Sequence, residues 1–412
     1  MKKFIVAALV LIAVVVIAFF LMKPRLADKA YTEGKNLADS LRWEQAITKY
    51  DRAIWFNSKV ADYFYSRGVA KSNLALDSLA IIDFNSALAL NSEFSDYYLN
   101  RGMSYRKTNK FSESMADFDK AIQLNDSSAQ AYYQRGLLKA AQLNYEEALK
   151  DYNRSIELDG SNLEAFYSRG ESKANLDDFM GAISDYDKMI SNAANPADAY
   201  KQRGLFKLKI QDYAGAESDL TQSMEINDSD KEVLYNLGQV KYNLNKLDES
   251  VDILSKVIKV DPKYDLAYGA RGGAYMKKND FKKAQADFDK AVTLTPTYKR
   301  AYYGRGIAKA FQKDYKGSIG DFTKVIELDP DFVQAYYNRA VSKAILGDHK
   351  GALPDYDQII AKDSKNPEAY FNRGISRMNV KDEVGACSDF RKAVELNYQP
   401  AEPMLKMYCQ GK

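Results

Sequence analysis

Few residues of this chain have the type and spacing to do chemistry: two cysteines, Cys387 and Cys409, one histidine, His349, and a recurring arginine–aspartate pattern. With one histidine, the two cysteines cannot build a Cys/His zinc site, an iron–sulfur cluster or a disulfide-rich scaffold. A histidine-based triad would have to use His349 alone. That residue stands where comparable segments carry Tyr or Phe, so it reads as a packing residue. Arg271-Gly272-Gly273 lacks the Gly-Lys-Ser/Thr that completes a phosphate loop. No catalytic, cofactor-binding or metal-binding constellation is therefore expected, and the chain is not read as an enzyme. Cys387 and Cys409 lie 22 residues apart and would bridge only in an oxidising compartment, so the sequence leaves the bridge open.

The arginines and aspartates belong to a strict period. Gly34, Gly68, Gly102, Gly136, Gly170, Gly204, Gly238, Gly272, Gly306 and Gly374 lie at multiples of 34 from the first, with Ala340 filling the gap. Twelve residues after each of these sits Ala or Ser, and four further on an aromatic or Leu, from Tyr50 to Phe390. Eleven units tile residues 27–400: 27–60, 61–94, 95–128, 129–162, 163–196, 197–230, 231–264, 265–298, 299–332, 333–366 and 367–400. Each holds two helical patterns with a polar break. Asn144, Asp178, Asp212, Asp280, Asp314, Asp348 and Asp382 recur at position 16 and suit the start of the second helix. Asn57, Asn91, Asn125, Asp159, Asp261 and Asp329 recur at position 31, where the chain turns into the next unit. Pro354 falls early in a second helix, where a local distortion is expected.

This pattern resembles the tetratricopeptide repeat family, with aromatic 4, small 8, small 20, aromatic 24, small 27 and proline 32. The resemblance covers about nine-tenths of the chain and departs at positions 7 and 11, usually Leu and Tyr in the family and here mostly Arg and Lys. It implies an all-α fold, a right-handed superhelical α-solenoid of eleven helix-turn-helix repeats. Residues 401–412 read as a short capping helix.

Nine units carry Arg at position 7 and Asp at position 23: Arg67/Asp83, Arg101/Asp117, Arg135/Asp151, Arg169/Asp185, Arg203/Asp219, Arg271/Asp287, Arg305/Asp321, Arg339/Asp355 and Arg373/Asp389. The exceptions decide how they pair. The first unit reverses the charges, Glu33 with Lys49, and the seventh replaces both, Leu237 with Ile253. Pairing within a unit leaves no mismatch. Pairing each acid with the next unit's arginine would set Lys49 against Arg67. A partly buried ion pair across each hairpin is expected, structural rather than a row of binding arginines.

The resemblance places residues at positions 2, 5, 9 and 12 on an inner groove. Position 5 gives the candidate partner-binding residues Tyr31, Tyr65, Tyr133, Tyr167, Lys201, Tyr235, Tyr303, Tyr337 and Phe371, with Leu99 and Gly269 between them. Tyrosines there either contact a partner or fill core. The stretch around Gly269 reads as a pocket or a flexible joint. Position 2 is often acidic, from Asp28 to Glu368, which suits either the helix dipole or a negative groove wall.

At the amino terminus, residues 1–3 form a short tail and residues 4–22 a run of nineteen apolar residues, ended by Lys23-Pro24-Arg25. At 1.5 Å per residue the run spans about 28 Å, close to the bilayer core. It reads as one uncleaved transmembrane helix, since a cleavable signal has an apolar core of about 7–15 residues and a small-residue cleavage site. Its resemblance to a lengthened bacterial signal sequence favours an inner-membrane protein with its repeats in the periplasm. Lys23, Arg25, Lys29 and Lys35 beyond the run argue for the other side.

With 59 basic and 56 acidic residues the net charge is +3, which gives no electrostatic case for nucleic acid. The 46% hydrophobic content excludes a disordered chain. The expected function is a membrane-anchored scaffold for a protein or peptide partner, without cofactor or small-molecule substrate. The alternatives are an assembly component of a cell-envelope complex and a cytoplasm-facing anchored receptor.

Overall fold

The computed structural model of the protein describes residues 2–409; Met1 and the last three residues of the 401–412 cap lie outside the described residues. Among the described residues there are 23 helices and no strand. The chain divides into two compact units, residues 1–199 and 200–412.

The first unit holds five helix pairs: α1 (Lys2–Asp39) with α2 (Trp43–Phe56), α3 (Ala61–Asn73) with α4 (Asp77–Leu90), α5 (Ser95–Lys107) with α6 (Phe111–Leu124), α7 (Ala129–Ala141) with α8 (Tyr145–Leu158), and α9 (Leu163–Asn175) with α10 (Phe179–Asn192). The second unit takes up α11 (Ala197–Lys209), except its first three residues, with α12 (Tyr213–Ile226), then α13 (Lys231–Asn243) with α14 (Leu247–Val260), α15 (Asp265–Lys277) with α16 (Phe281–Leu294), α17 (Lys299–Phe311) with α18 (Tyr315–Leu328), α19 (Val333–Ile345) with α20 (His349–Lys362), and α21 (Pro367–Asn379) with α22 (Glu383–Glu395). α23 (Ala401–Tyr408) closes it.

The period has a steric cause. A Cβ added at Gly68 would stand 2.7 Å from the Phe84 ring, and one at Gly136 2.7 Å from Tyr152. Only a small residue at position 8 lets the ring at position 24 lie against the facing helix. Those rings are the deepest in the structure: Phe84, Phe118, Tyr152, Tyr186, Phe322 and Phe390 are all fully buried. Where position 20 is Ser114 or Ser250, its hydroxyl donates to the carbonyl of the position-8 glycine at 2.8 Å.

The hairpin turn is set by position 15, which has a left-handed backbone in every unit, from Leu41 (φ 57°) to Lys381 (φ 67°), with glycine only at Gly347. Its N–H and the next one close back on the first helix, as in Leu143 to Ala140 and Asn144 to Lys139. Asp178, Asp212, Asp280, Asp314, Asp348 and Asp382 then cap the second helix, each accepting a backbone N–H three residues on. Asn144 does not: its side chain makes no cap bond. All six position-31 residues accept the N–H two residues ahead, at 3.0–3.1 Å.

Neither Pro24 nor Pro354 ends its helix. α20 runs through Pro354, and α1 runs through Pro24, so the apolar segment and the first helix of the first repeat are one rod of 38 residues. Its window of mean hydropathy 2.3 makes it long and apolar enough to cross a membrane. His349 is the first residue of α20, half-buried, with a buried Nδ1 that has no hydrogen-bond partner.

Cys387 on α22 and Cys409 just beyond α23 form a disulfide, both buried beside Phe390 and Met404. Closing a loop of this length stabilises a chain by about 3 kcal/mol on the chain-entropy model. Reduction is therefore expected to release α23, seen as faster amide exchange there while α13–α16 stay protected.

Candidate functional site

In all nine Arg/Asp units the pair closes across its own hairpin: Arg67 on Asp83, Arg101 on Asp117, Arg135 on Asp151, Arg169 on Asp185, Arg203 on Asp219, Arg271 on Asp287, Arg305 on Asp321, Arg339 on Asp355 and Arg373 on Asp389. Nη2 lies 2.5–2.7 Å from one carboxylate oxygen. Nε lies 2.8–3.0 Å from the other. Lys49 and Glu33 meet at 2.5 Å with reversed charges, and Leu237 and Ile253 are both buried in an apolar cluster. Each guanidinium also lies 5.2–5.9 Å from the ring at position 4 of its own helix.

The burial of each pair falls on its acidic side. Asp83, Asp117, Asp151, Asp185, Asp219, Asp287, Asp321, Asp355 and Asp389 are all fully buried, at 1–6% exposure. Only the arginines keep an exposed edge. The cause is the close approach at position 8: a Cβ added at Gly102, Gly170 or Gly204 would lie 3.2–3.5 Å from the Cβ of Asp117, Asp185 or Asp219. The short acidic side chain is thus sealed between the helices of its hairpin, while the longer arginine reaches it from the rim. These aspartates offer no surface to a partner.

Two further contacts are not visible in the pair pattern. Nη1 reaches position 25 of the preceding repeat, as in Arg67 to Asp51 (2.6 Å), Arg135 to Asp119 (2.7 Å), Arg305 to Asp289 (2.8 Å) and Arg373 to Asp357 (2.6 Å). The position-11 cation, one turn after the arginine, holds the same aspartate in seven units. Lys71 takes Asp83, Lys139 takes Asp151, Lys173 takes Asp185 and Lys207 takes Asp219. Lys309 takes Asp321, Lys343 takes Asp355 and Arg377 takes Asp389. Each of these seven buried carboxylates therefore faces two cations. In the seventh repeat, where Ile253 replaces the acid, Lys241 turns to Glu217 and Glu249. Burial pushes Glu217 up, but Lys241 and Lys246 outweigh it and hold that carboxyl below its usual range.

The two remaining units have tyrosine at position 11, Tyr105 and Tyr275. There, burial raises the carboxyls of Asp117 and Asp287 above the usual range, against the pull of Arg101 and Arg271. A carboxyl raised on folding binds its proton more tightly in the folded state. Its ionised form thus costs stability at neutral pH, and the cost fades as pH falls through the folded pKa towards the unfolded value. Tyr275→Lys is expected to restore the second cation and move the Asp287 titration downward, read by carboxyl-carbon NMR.

The position-5 rings do two jobs. Tyr31, Tyr65, Tyr133, Tyr167, Tyr303 and Phe371 each pack on the position-24 ring of their own hairpin, with centroids 5.8–6.2 Å apart. Hydroxyls of position-5 tyrosines also meet the next repeat: Ser66 with Tyr31 at 3.2 Å, Asn100 to Tyr65 and Asn338 to Tyr303 at 3.0 Å, Tyr337 to Glu368 at 2.7 Å. Tyr167 is the exposed member at 42%. Lys201 is held by Asp230 (3.1 Å) and Glu232 (2.5 Å). Several position-2 acids also have internal partners: Tyr63 donates to Asp28 at 2.5 Å, Tyr97 to Asp62, and Tyr133 to Glu164 at 3.4 Å.

The face changes character in the seventh to ninth repeats. Tyr235, Gln239, Leu266, Gly269, Gly273, Tyr298 and Arg300 line an open cleft of about 530 Å³. They occupy positions 2, 5 and 9 of successive repeats, apart from Tyr298 at position 34. Gly269 and Gly273, one turn apart on α15, strip it of side chains. The first vacancy is filled, because an added Cβ at Gly269 would lie 2.6 Å from the Tyr298 hydroxyl. The second is open: a Cβ at Gly273 meets nothing within 4 Å. Gln239 donates to the Tyr235 hydroxyl at 2.9 Å. Burial raises both phenols, Tyr298 to about 12, and the Arg300 charge opposes the rise. Arg300 stands at position 2, where seven of the other ten repeats carry an acid; it is exposed and, among the described residues, has no ion-pair partner. A tyrosine-floored cleft with bare helix backbone and one open guanidinium is suited to a carboxylate-bearing peptide segment.

A second depression, about 580 Å³, lies among Met224, Glu225, Lys256 and Val260 on the second helices, away from this face.

Models of tetratricopeptide repeats match residues 95–128, 129–162, 231–264, 266–298 and 303–367. No curated protein matches the sequence. Among solved structures, the C-terminal part of a TPR repeat-containing protein from Cytophaga hutchinsonii is similar at TM-score 0.51 and 18% identity, over 58% of this chain and 98% of that one. YrrB, described as a TPR protein with an unusual peptide-binding site, is 27% identical over 45% of this chain and 95% of its own, at TM-score 0.42. A tetratricopeptide repeat protein from Parabacteroides merdae is 20% identical over 59% of this chain and 97% of its own, at TM-score 0.45.

Proposed function

Because this chain belongs to the tetratricopeptide repeat family, we propose that it is a membrane-anchored scaffold that holds a protein or peptide partner on the position-2, -5 and -9 face of its repeats. The cleft over Gly273 is its principal seat. The observation that carries this reading is the conjunction of a bare helical turn, an aromatic floor and an open Arg300 on one face. The arginine–aspartate–lysine ladder is the register device beneath it. It ties the helices of each hairpin together, and its arginines are engaged rather than free to bind.

The apolar segment 4–22 is the anchor. The Cys387–Cys409 disulfide supports an oxidising compartment for the repeats, which agrees with a bacterial inner-membrane protein facing the periplasm. The basic residues Lys23, Arg25, Lys29 and Lys35 favour a second reading, a cytoplasm-facing receptor. Alkaline phosphatase fused after Lys412 decides between them. Activity together with a bridge that blocks thiol alkylation supports export, whereas an inactive fusion with two free thiols overturns it.

A further inference from the structure

The end of α2 lies beside the apolar segment rather than beyond it. Trp55, the penultimate residue of α2, is 66% exposed, and its ring lies 6.4 Å from Phe19 and 4.9 Å from Phe56. Phe19 is three residues inside the end of the apolar run at Met22, a depth of about 4–5 Å along a helix axis. The Lys23 ammonium sits 5.0–5.5 Å from the rings of Phe19, Phe20 and Trp55. Around it Phe20, Leu21 and Met22 are exposed at 61%, 74% and 54%. No linker separates segment and repeat, since α1 is continuous through Pro24. The height of Trp55 relative to the apolar run is therefore fixed by helix packing.

We infer that the first hairpin is docked on the bilayer itself, with Trp55, Phe19 and Phe20 in the lipid interface and Lys23 at headgroup level. This rests on the anchor reading above. An indole beside a lysine at the end of an apolar helix is placed where amphipathic rings partition, apolar body inward and N–H towards headgroups. The occupant is lipid because the patch continues without a break into the apolar helix. The docking would hold the first repeat against the membrane surface.

The chain has only two tryptophans, and Trp43 stands twelve residues before Trp55 at the opposite end of α2, about 18 Å away along the helix. Trp43→Phe thus leaves Trp55 as sole reporter, and Trp55→Phe leaves Trp43. The full chain is reconstituted into phosphatidylcholine vesicles brominated either near the headgroup or near the chain end, and its co-flotation is measured alongside emission. The expected result is loss of most Trp55 emission with shallow bromines, little loss with deep ones, and no loss for Trp43. Unquenched Trp55 in protein that floats overturns the docking and leaves the anchor standing. Protein that fails to float overturns the anchor, and the docking with it. A Trp55 signal that changes with protein-to-lipid ratio and not with bromine assigns the patch to a second copy, and also overturns it.

Discussion

Asp185→Ala is expected to destabilise the hairpin of α9 and α10 by on the order of 3–5 kcal/mol, because it strands two cations at a buried site. The Asp185 side chain is 2% exposed and takes Arg169 at 2.5 Å and Lys173 at 2.9 Å. Arg169→Ala is expected to cost less, since Lys173 still holds the acid. Arg101→Ala is expected to cost more than Arg169→Ala, since Asp117 then faces Tyr105 with no second cation. The cost falls on one module of a stacked array, so it is read by amide exchange in that hairpin rather than from a global midpoint. Asp185→Ala with Arg169→Ala together should cost less than the two singles added. A coupling energy near zero would refute the pairing.

Gly273→Trp is expected to weaken partner binding strongly while leaving the fold intact. The position is inside α15, where glycine is itself unfavourable by roughly 0.5–1 kcal/mol relative to alanine. A Cβ there meets nothing within 4 Å, and the position lines the cleft, so stability should hold or rise slightly. Filling the seat is expected to weaken binding by about 2 kcal/mol or more, roughly thirtyfold. Arg300→Glu should weaken an acidic partner comparably. Isothermal titration with the captured partner segment reads both, and full affinity in Gly273→Trp would remove the cleft from the account.

The hairpin was legible because it is written in volumes: the glycine at position 8 and the ring at position 24 are two halves of one contact, repeated until chance is excluded. The charge pair was legible from its exceptions, Glu33 with Lys49 and Leu237 with Ile253. The depth of its acids was not, because burial at Asp83 or Asp389 follows from how closely the two helices approach, which residue type alone does not state. The left-handed backbone at the turn was not legible either. Its left-handed residue is Leu41, Gln211 or Lys313 in different repeats, and only Gly347 carries the usual marker, because the closing hydrogen bonds rather than the side chain impose the conformation.

The lysines at position 11 read as a departure from the family pattern, and their place beside the aspartates was missed. The signal was available: positions 7 and 11 are one turn apart and so share a helix face. The opening at Gly269 was visible as a gap in the tyrosine row. That Tyr298 would fill it was not, because position 34 varies freely between repeats. Pro24 marked the end of the apolar run correctly but not the end of the helix, since flanking turns on both sides keep α1 continuous.

The most direct measurement is photocrosslinking in native membranes from a benzophenone side chain at Gln239, inside the cleft, with Asp252 on α14 as the outward control. The expected result is one dominant protein adduct from Gln239, absent from Asp252 and lost when Gly273→Trp is added. Adducts from Asp252 alone, or a Gln239 adduct undiminished by Gly273→Trp, would mean that this face does not hold the partner.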